Sequence, residues 1–114
     1  MSKIFSMEYS KIYDALLNKI ERKGRTKEEL DEIIIWLTGY SNEDLVKIYN
    51  GQKAYEDFFK EAPFLNPKRH NIKGSICGIK IQEIEDPLMK EIRYLDKLVD
   101  ELARGKEMDK IKDR

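Results

Sequence analysis

The stretch from Thr26 to Gly51 constrains this chain more than any other, because it holds the single Trp, the densest apolar run and a clear signal at every boundary. Thr26 and Glu29 form a capping-box pair, in which the Thr hydroxyl accepts the Glu29 amide and the Glu carboxylate reaches back to the Thr26 amide. Gly39 is placed to end that helix in a left-handed conformation. Ser41 then reads as the N-cap of a second helix that closes at Gly51. Leu30, Ile33, Ile34 and Leu37, followed by Leu45, Ile48 and Tyr49, recur at helical spacing and are expected to face one core. The centre of the chain is therefore predicted to be a tight helix–turn–helix corner, with Trp36 and Tyr40 beside its turn.

Elements of the same kind extend to both sides. Tyr9, Ile12, Tyr13, Leu16, Leu17 and Ile20 make one continuous helical stripe, with Lys19, Arg22 and Lys23 near its C-terminal end and Gly24 as its stop. Tyr55, Phe58 and Phe59 predict a short helix that ends before Pro63, and Pro63 to Pro67 reads as a loop. Asp86 and Pro87 open the longest helix, expected to run to Ala103 or Arg104. Leu88, Ile92, Leu95, Val99 and Leu102 form its heptad-like seam, widened by Met89 and Leu98. That seam serves either the core of the chain or a homodimer. Residues 1–105 are expected to form a single helical domain, followed by a charged tail over 106–114 in which Met108 and Ile111 are the anchoring residues.

The segment from Lys68 to Glu85 is ambiguous by pattern. The preferred reading is a short helix from about Lys68 to Gly78, a turn through Ile79 to Ile81 and a new helix near Gln82, a loose echo of the central corner. The alternative is a strand and hairpin near 76–84, since Ile76, Ile79, Ile81 and Ile84 are β-branched and two glycines interrupt the run. The expected fold class is thus all-α, a compact bundle of about five helices with helix–turn–helix corners. Its alternative is α+β with that one small hairpin.

Composition narrows the class of function. With 40% apolar and 39% charged residues, the sequence suits a helical domain with heavily solvated faces. No apolar run approaches the roughly 20 residues of a membrane span. The residues from Met1 to Glu8 break their apolar character too early for a secretory signal, and the chain has a single cysteine, so a cytoplasmic location is expected. The 22 basic and 22 acidic residues cancel, which argues against nucleic-acid binding, but they are unevenly placed. Residues 1–27 carry seven basic and three acidic groups, residues 28–62 three and nine, and residues 63–80 four and none.

Several segments, in order, resemble a known family. They are Arg22-Lys-Gly-Arg-Thr-Lys27, Ile35-Trp-Leu-Thr-Gly-Tyr40, Asn66-Pro67, Ile72-Lys-Gly74, Cys77-Gly78, Glu83-Ile-Glu-Asp-Pro-Leu-Met89 and the helix from Ile92 to Ala103. Together they are similar to a family of small bacterial cytosolic proteins catalogued as domain of unknown function 2200. The resemblance covers nearly the whole chain. It implies a compact, mainly helical bacterial domain, and it implies no activity and no catalytic residues.

The candidate chemistry is sparse. Lys68, Arg69, His70, Lys73, Gly74 and Ser75 combine basic groups, an imidazole and a glycine without an acid, and form the best candidate for binding an anion. The ordinary reading of such a run is a solvated basic loop set against the acidic segment 28–62. The order Lys-Gly-Ser is not a Walker motif. His70 and Cys77 are too few for a structural zinc site, which takes about four ligands, so no metal or other cofactor is expected. Cys77 beside isoleucines reads as a small buried residue rather than a nucleophile. Glu83, Glu85 and Asp86 suit a helix start through the macrodipole. The corner has the outline of a DNA-binding motif, but its second helix opens Ser41-Asn42-Glu43-Asp44, which sets two carboxylates where phosphates and base edges would lie.

The function expected from the sequence is a small non-enzymatic binding or protein-interaction module, with Trp36, Tyr40 and Tyr94 as candidates for its contact surface. The alternative is a protein or enzyme that binds an anion or a phosphorylated metabolite through loop 68–75. The partner is accordingly another protein or a small anionic ligand, the chain a monomer or a homodimer, and a membrane is not expected.

Overall fold

Hydrogen bonds close both ends of the central helix in the computed structural model, which describes residues 3–76 and 78–114. Helix α3 spans Lys27–Thr38. The Glu29 amide donates to Thr26 Oγ1 at 3.2 Å and the Thr26 amide to Glu29 Oε1 at 3.0 Å, the predicted capping box. Helix α4, Asn42–Asn50, opens on a second box in which Ser41 and Asp44 exchange the same pair of bonds at 3.1 and 3.0 Å. At the other end of α3, Gly39 adopts φ 79° and its amide bonds the Ile35 carbonyl. The last carbonyls of α3 are taken up from outside the helix. The Phe64 amide donates to the Thr38 carbonyl, the Asn66 amide to that of Leu37, and the Asn66 side chain to that of Trp36. Groups that a helix end leaves orphaned thus become the anchor of the 63–67 loop.

The Arg25 guanidinium, with further help from Thr26, holds the Glu29 carboxyl below the usual range, and the Ser41 amide and hydroxyl do the same for Asp44. Carboxyls with depressed folded pKa values stabilise the protein fully above about pH 4 and lose that contribution as pH falls through the folded values. A Glu29→Gln, Asp44→Asn variant should therefore be less stable than the parent at pH 7. Urea denaturation should show the gap closing below about pH 4; a gap independent of pH would contradict this reading.

Seven α-helices are present among the described residues. Besides α3 and α4 they are α1 (Lys3–Ser6), α2 (Tyr9–Glu21), α5 (Tyr55–Lys60), α6 (Pro87–Ala103) and α7 (Met108–Lys112). Helix α6 is the spine, in contact with α2, α3, α5 and α7. Its seam points inward: Ile92, Leu95, Leu98, Val99 and Leu102 are fully buried, and Leu88 and Met89 are packed against them. Asp86 caps it through the amides of Leu88 and Met89, with Pro87 in the first turn. The N-terminal segment is tied to the start of α5, since Tyr9 donates to the Lys53 carbonyl and Tyr55 to that of Met7. The charged segment 106–114 folds onto the same core. Ile111 is fully buried, Arg25 bonds the Lys106 carbonyl, and Arg114 pairs with Glu101 and Lys112 with Glu32.

The preferred reading of residues 68–85 is corrected. The region holds a 3₁₀ turn at Pro67–Asn71, an antiparallel hairpin of β1 (Ser75–Ile76) and β2 (Ile79–Lys80), and a second 3₁₀ turn at Ile81–Glu83. The hairpin alternative is what forms, giving a mostly α fold with one small β element. In a helix, two glycines and four β-branched residues here would each weaken the propensity. Of the isoleucines there, Ile76 and Ile81 are buried and Ile79, the cross-strand partner of Ile76, is exposed. The Ile81 amide bonds the Gly74 carbonyl at 3.0 Å and extends the pairing. Cys77, expected as a small buried residue, lies outside the described residues.

Candidate functional site

The residues expected to bind an anion divide between two places. Arg69 is occupied structurally: its Nε donates to both oxygens of Glu91 at 2.9 and 3.0 Å, and its Nη1 to the carbonyls of Leu65 and Asn66. His70 Nδ1 lies 3.4 Å from the Tyr94 hydroxyl. Arg69, His70 and Tyr94 line one cleft of about 420 Å³, joined there by Lys60 and Lys90. Lys68 is exposed at the 3₁₀ turn, while Lys73, Gly74 and Ser75 are exposed on the arm leading into the hairpin, where Gly74 lies against Lys97. Among the described residues, no group of three or more His, Cys, Asp or Glu side chains is placed to hold a metal ion.

The aromatic residues expected at a contact surface are mostly internal. Tyr40 is buried, and its hydroxyl donates to the Phe58 carbonyl at 2.6 Å because the turn after Gly39 folds it over α5. Burial pushes its phenol up to about 12. Tyr94 is buried as part of the inward face of α6, and Trp36 is half-buried against the core. Tyr40 and Tyr94 are therefore corrected from contact surface to core. The opposite correction applies to Tyr49, assigned to the core by its spacing, which is 39% exposed.

Tyr49 belongs to a groove that the sequence reading did not isolate. The groove has a volume of about 440 Å³ and runs between α2, α3 and α4. Two phenol–carboxylate pairs build its walls. Tyr13 Oη donates to Asp31 Oδ1 at 2.6 Å, and Tyr49 Oη donates to Asp14 Oδ1 at 2.8 Å. The two rings meet edge to face, with centroids 5.6 Å apart. Burial, then the bond to Asp31, raises the Tyr13 phenol well above its ordinary value, and the bond to Asp14 raises that of Tyr49. Both phenols therefore stay protonated at neutral pH and act as fixed donors. Val46, 58% exposed, stands at the edge. The available signal was the apolar arc of α4: Leu45, Val46, Ile48 and Tyr49 span more of the helix than the buried pair Leu45 and Ile48 requires.

Tyr9 also lines the groove, with its ring stacked on Phe58 at 4.4 Å. Its hydroxyl is buried without a hydrogen-bond partner among the described residues, and burial raises its pKa well above the ordinary value. An unpaired buried hydroxyl costs about 1–3 kcal/mol, whereas a typical made bond contributes about 1 kcal/mol. Tyr9→Phe should therefore leave the melting temperature unchanged or raise it, while Tyr40→Phe should cost about 1–2 kcal/mol. Equal losses by thermal denaturation would contradict the assignment.

No curated protein matches the chain. Among solved structures, it is similar to the crystal structure of uncharacterized protein SP1917, with 46% identity and a TM-score of 0.93 over 97% of this chain and 92% of that one. Residues 3–113 match the model of DUF2200, described as an uncharacterized protein conserved in bacteria. The chain thus belongs to the DUF2200 family.

Proposed function

We propose that this protein is a non-enzymatic, cytoplasmic binding module that takes a segment of a partner protein into the groove between α2, α3 and α4. The observation that carries the reading is the exposure of Val46 and Tyr49 on the rim of a concavity of about 440 Å³. Apolar side chains left in water beside a groove are what a binding surface requires and what a core does not. The carboxylates there accept hydrogen bonds from phenols, an arrangement that suits holding a ligand more than moving a proton. No helix among the described residues is long and apolar enough to cross a membrane, and the single cysteine supports a reducing compartment.

A second reading rests on the meeting of His70 with Lys60 and Lys90 beside the Arg69–Glu91 ion pair, a cleft in which cations outnumber the one carboxylate and which suits a small anion. Amide NMR of the labelled protein separates the two, using a pool of short peptides and a panel of phosphorylated metabolites. The binding-module reading expects peptide-induced shifts concentrated at Leu17, Val46 and Tyr49. Shifts caused by the phosphorylated compounds and centred on Arg69, His70 and Lys90, with the groove silent, would replace it with the second reading.

A further inference from the structure

We infer that the groove recognises a lysine or arginine side chain of the partner protein, held between the Asp14 carboxylate and the Tyr49 ring; the inference rests on the binding-module reading. The groove is built from two half-sites of the same kind, one of which already contains its cation. In the first, Tyr13 donates to Asp31, and Lys27 Nζ lies 2.8 Å from Asp31 Oδ2 and 5.7 Å from the Tyr13 ring centroid. The ammonium is thus shared between a carboxylate and a π face, an arrangement that attracts cations from both sides. In the second, Tyr49 donates to Asp14 in the same manner, yet no cation within ion-pair distance of Asp14 is found among the described residues.

The chemistry of the second half-site favours a cation over a neutral group. A phenol that donates to a carboxylate has a more electron-rich ring, which strengthens its attraction for positive charge. Asp14 and Asp31 against Lys27 leave the groove with one net negative charge. The three helices that form the groove carry eight acidic and four basic groups, so the surrounding surface favours a basic partner. Exposed Val46 offers an apolar contact for the stem of the bound side chain or for its neighbour.

The test is an amide-NMR titration with capped pentapeptides of sequence Ser-Leu-X-Leu-Ser, where X is Lys, Arg, Gln or Glu, together with n-butylammonium as a free amine. The Lys and Arg peptides should shift the Asp14, Val46 and Tyr49 amides and bind about fivefold tighter than the Gln peptide, the scale of one exposed cation–π contact. Asp14→Asn keeps an acceptor for the Tyr49 hydroxyl and should bring that preference to within about twofold. Binding of the Gln peptide at the groove as tightly as the Lys peptide would overturn the inference and leave the binding module standing. So would a preference for Lys that survives Asp14→Asn. Equal response to n-butylammonium and to the Lys peptide would make the occupant a free amine and overturn the assignment to a protein. Silence of the groove toward every peptide would overturn the inference and the binding module together.

Discussion

Gly39→Ala should be the most damaging small substitution in the chain, with an expected loss of about 2–5 kcal/mol. Two costs combine. Gly39 has φ 79°, a left-handed conformation that costs an L-residue with a Cβ roughly 1–2 kcal/mol. An added Cβ would also lie 2.9 Å from the Phe64 amide nitrogen and 3.0 Å from its Cβ and carbonyl oxygen. Phe64 cannot retreat freely, because its amide is bonded to the Thr38 carbonyl at the end of α3. Overpacking of this kind adds roughly 1–3 kcal/mol. Gly24→Ala is the matched control: φ is 81°, but nothing lies within 4 Å of the added carbon. It should cost only the conformational part, about 1–2 kcal/mol. Equal losses for the two variants in urea denaturation would show that the 63–67 loop does not bear on the end of α3.

Leu95→Ala should cost about 2–5 kcal/mol, because Leu95 is fully buried at the middle of α6, the helix in contact with α2, α3, α5 and α7, and the cavity it leaves can close only in part. The stability lost should also be independent of protein concentration. Ile92, Leu95, Leu98, Val99 and Leu102 of the seam are buried in the core of their own chain, which leaves them unable to serve a coiled-coil dimer at the same time. Denaturation of the parent protein at two concentrations about a hundredfold apart checks this directly, since a dimer would be stabilised by mass action at the higher one. A midpoint that rises with concentration would return the seam to an intermolecular role.

Caps and long apolar stripes were legible in the sequence because their causes are local. Thr26 with Glu29, Gly39, Ser41, and Asp86 with Pro87 each act within one helical turn, and each holds its expected place. The inward face of α6 was readable for a related reason, as its period repeats over seventeen residues. The 68–85 region was not, since short isoleucine runs fit a helix or a hairpin, and the choice depends on Ile76 finding α6. Tyr40 and Tyr49 were misassigned by the same limit. Whether a tyrosine at a helix edge is covered depends on which element lies over it, and that is long-range information. Phe58 packs its ring and carbonyl on Tyr40, whereas Tyr49 stays partly exposed. The groove was hidden because its two walls join residues eighteen and thirty-five positions apart, Tyr13 with Asp31 and Tyr49 with Asp14.

As a surface kept for a partner, the role proposed above, the α2–α3–α4 groove should contribute little to folding stability. The most direct measurement compares the parent protein with a Val46→Ser, Tyr49→Ser variant in two respects, urea denaturation and amide-NMR response to the short-peptide pool. The hydrogen bond from Tyr49 to Asp14, the edge-to-face contact of Tyr49 with Tyr13 and partly exposed apolar surface are removed. The expected loss of stability is below about 2.5 kcal/mol, while the peptide-induced shifts at Leu17 and Asp14 disappear. A loss of about 3 kcal/mol or more, or peptide shifts that persist unchanged in the variant, would contradict that role.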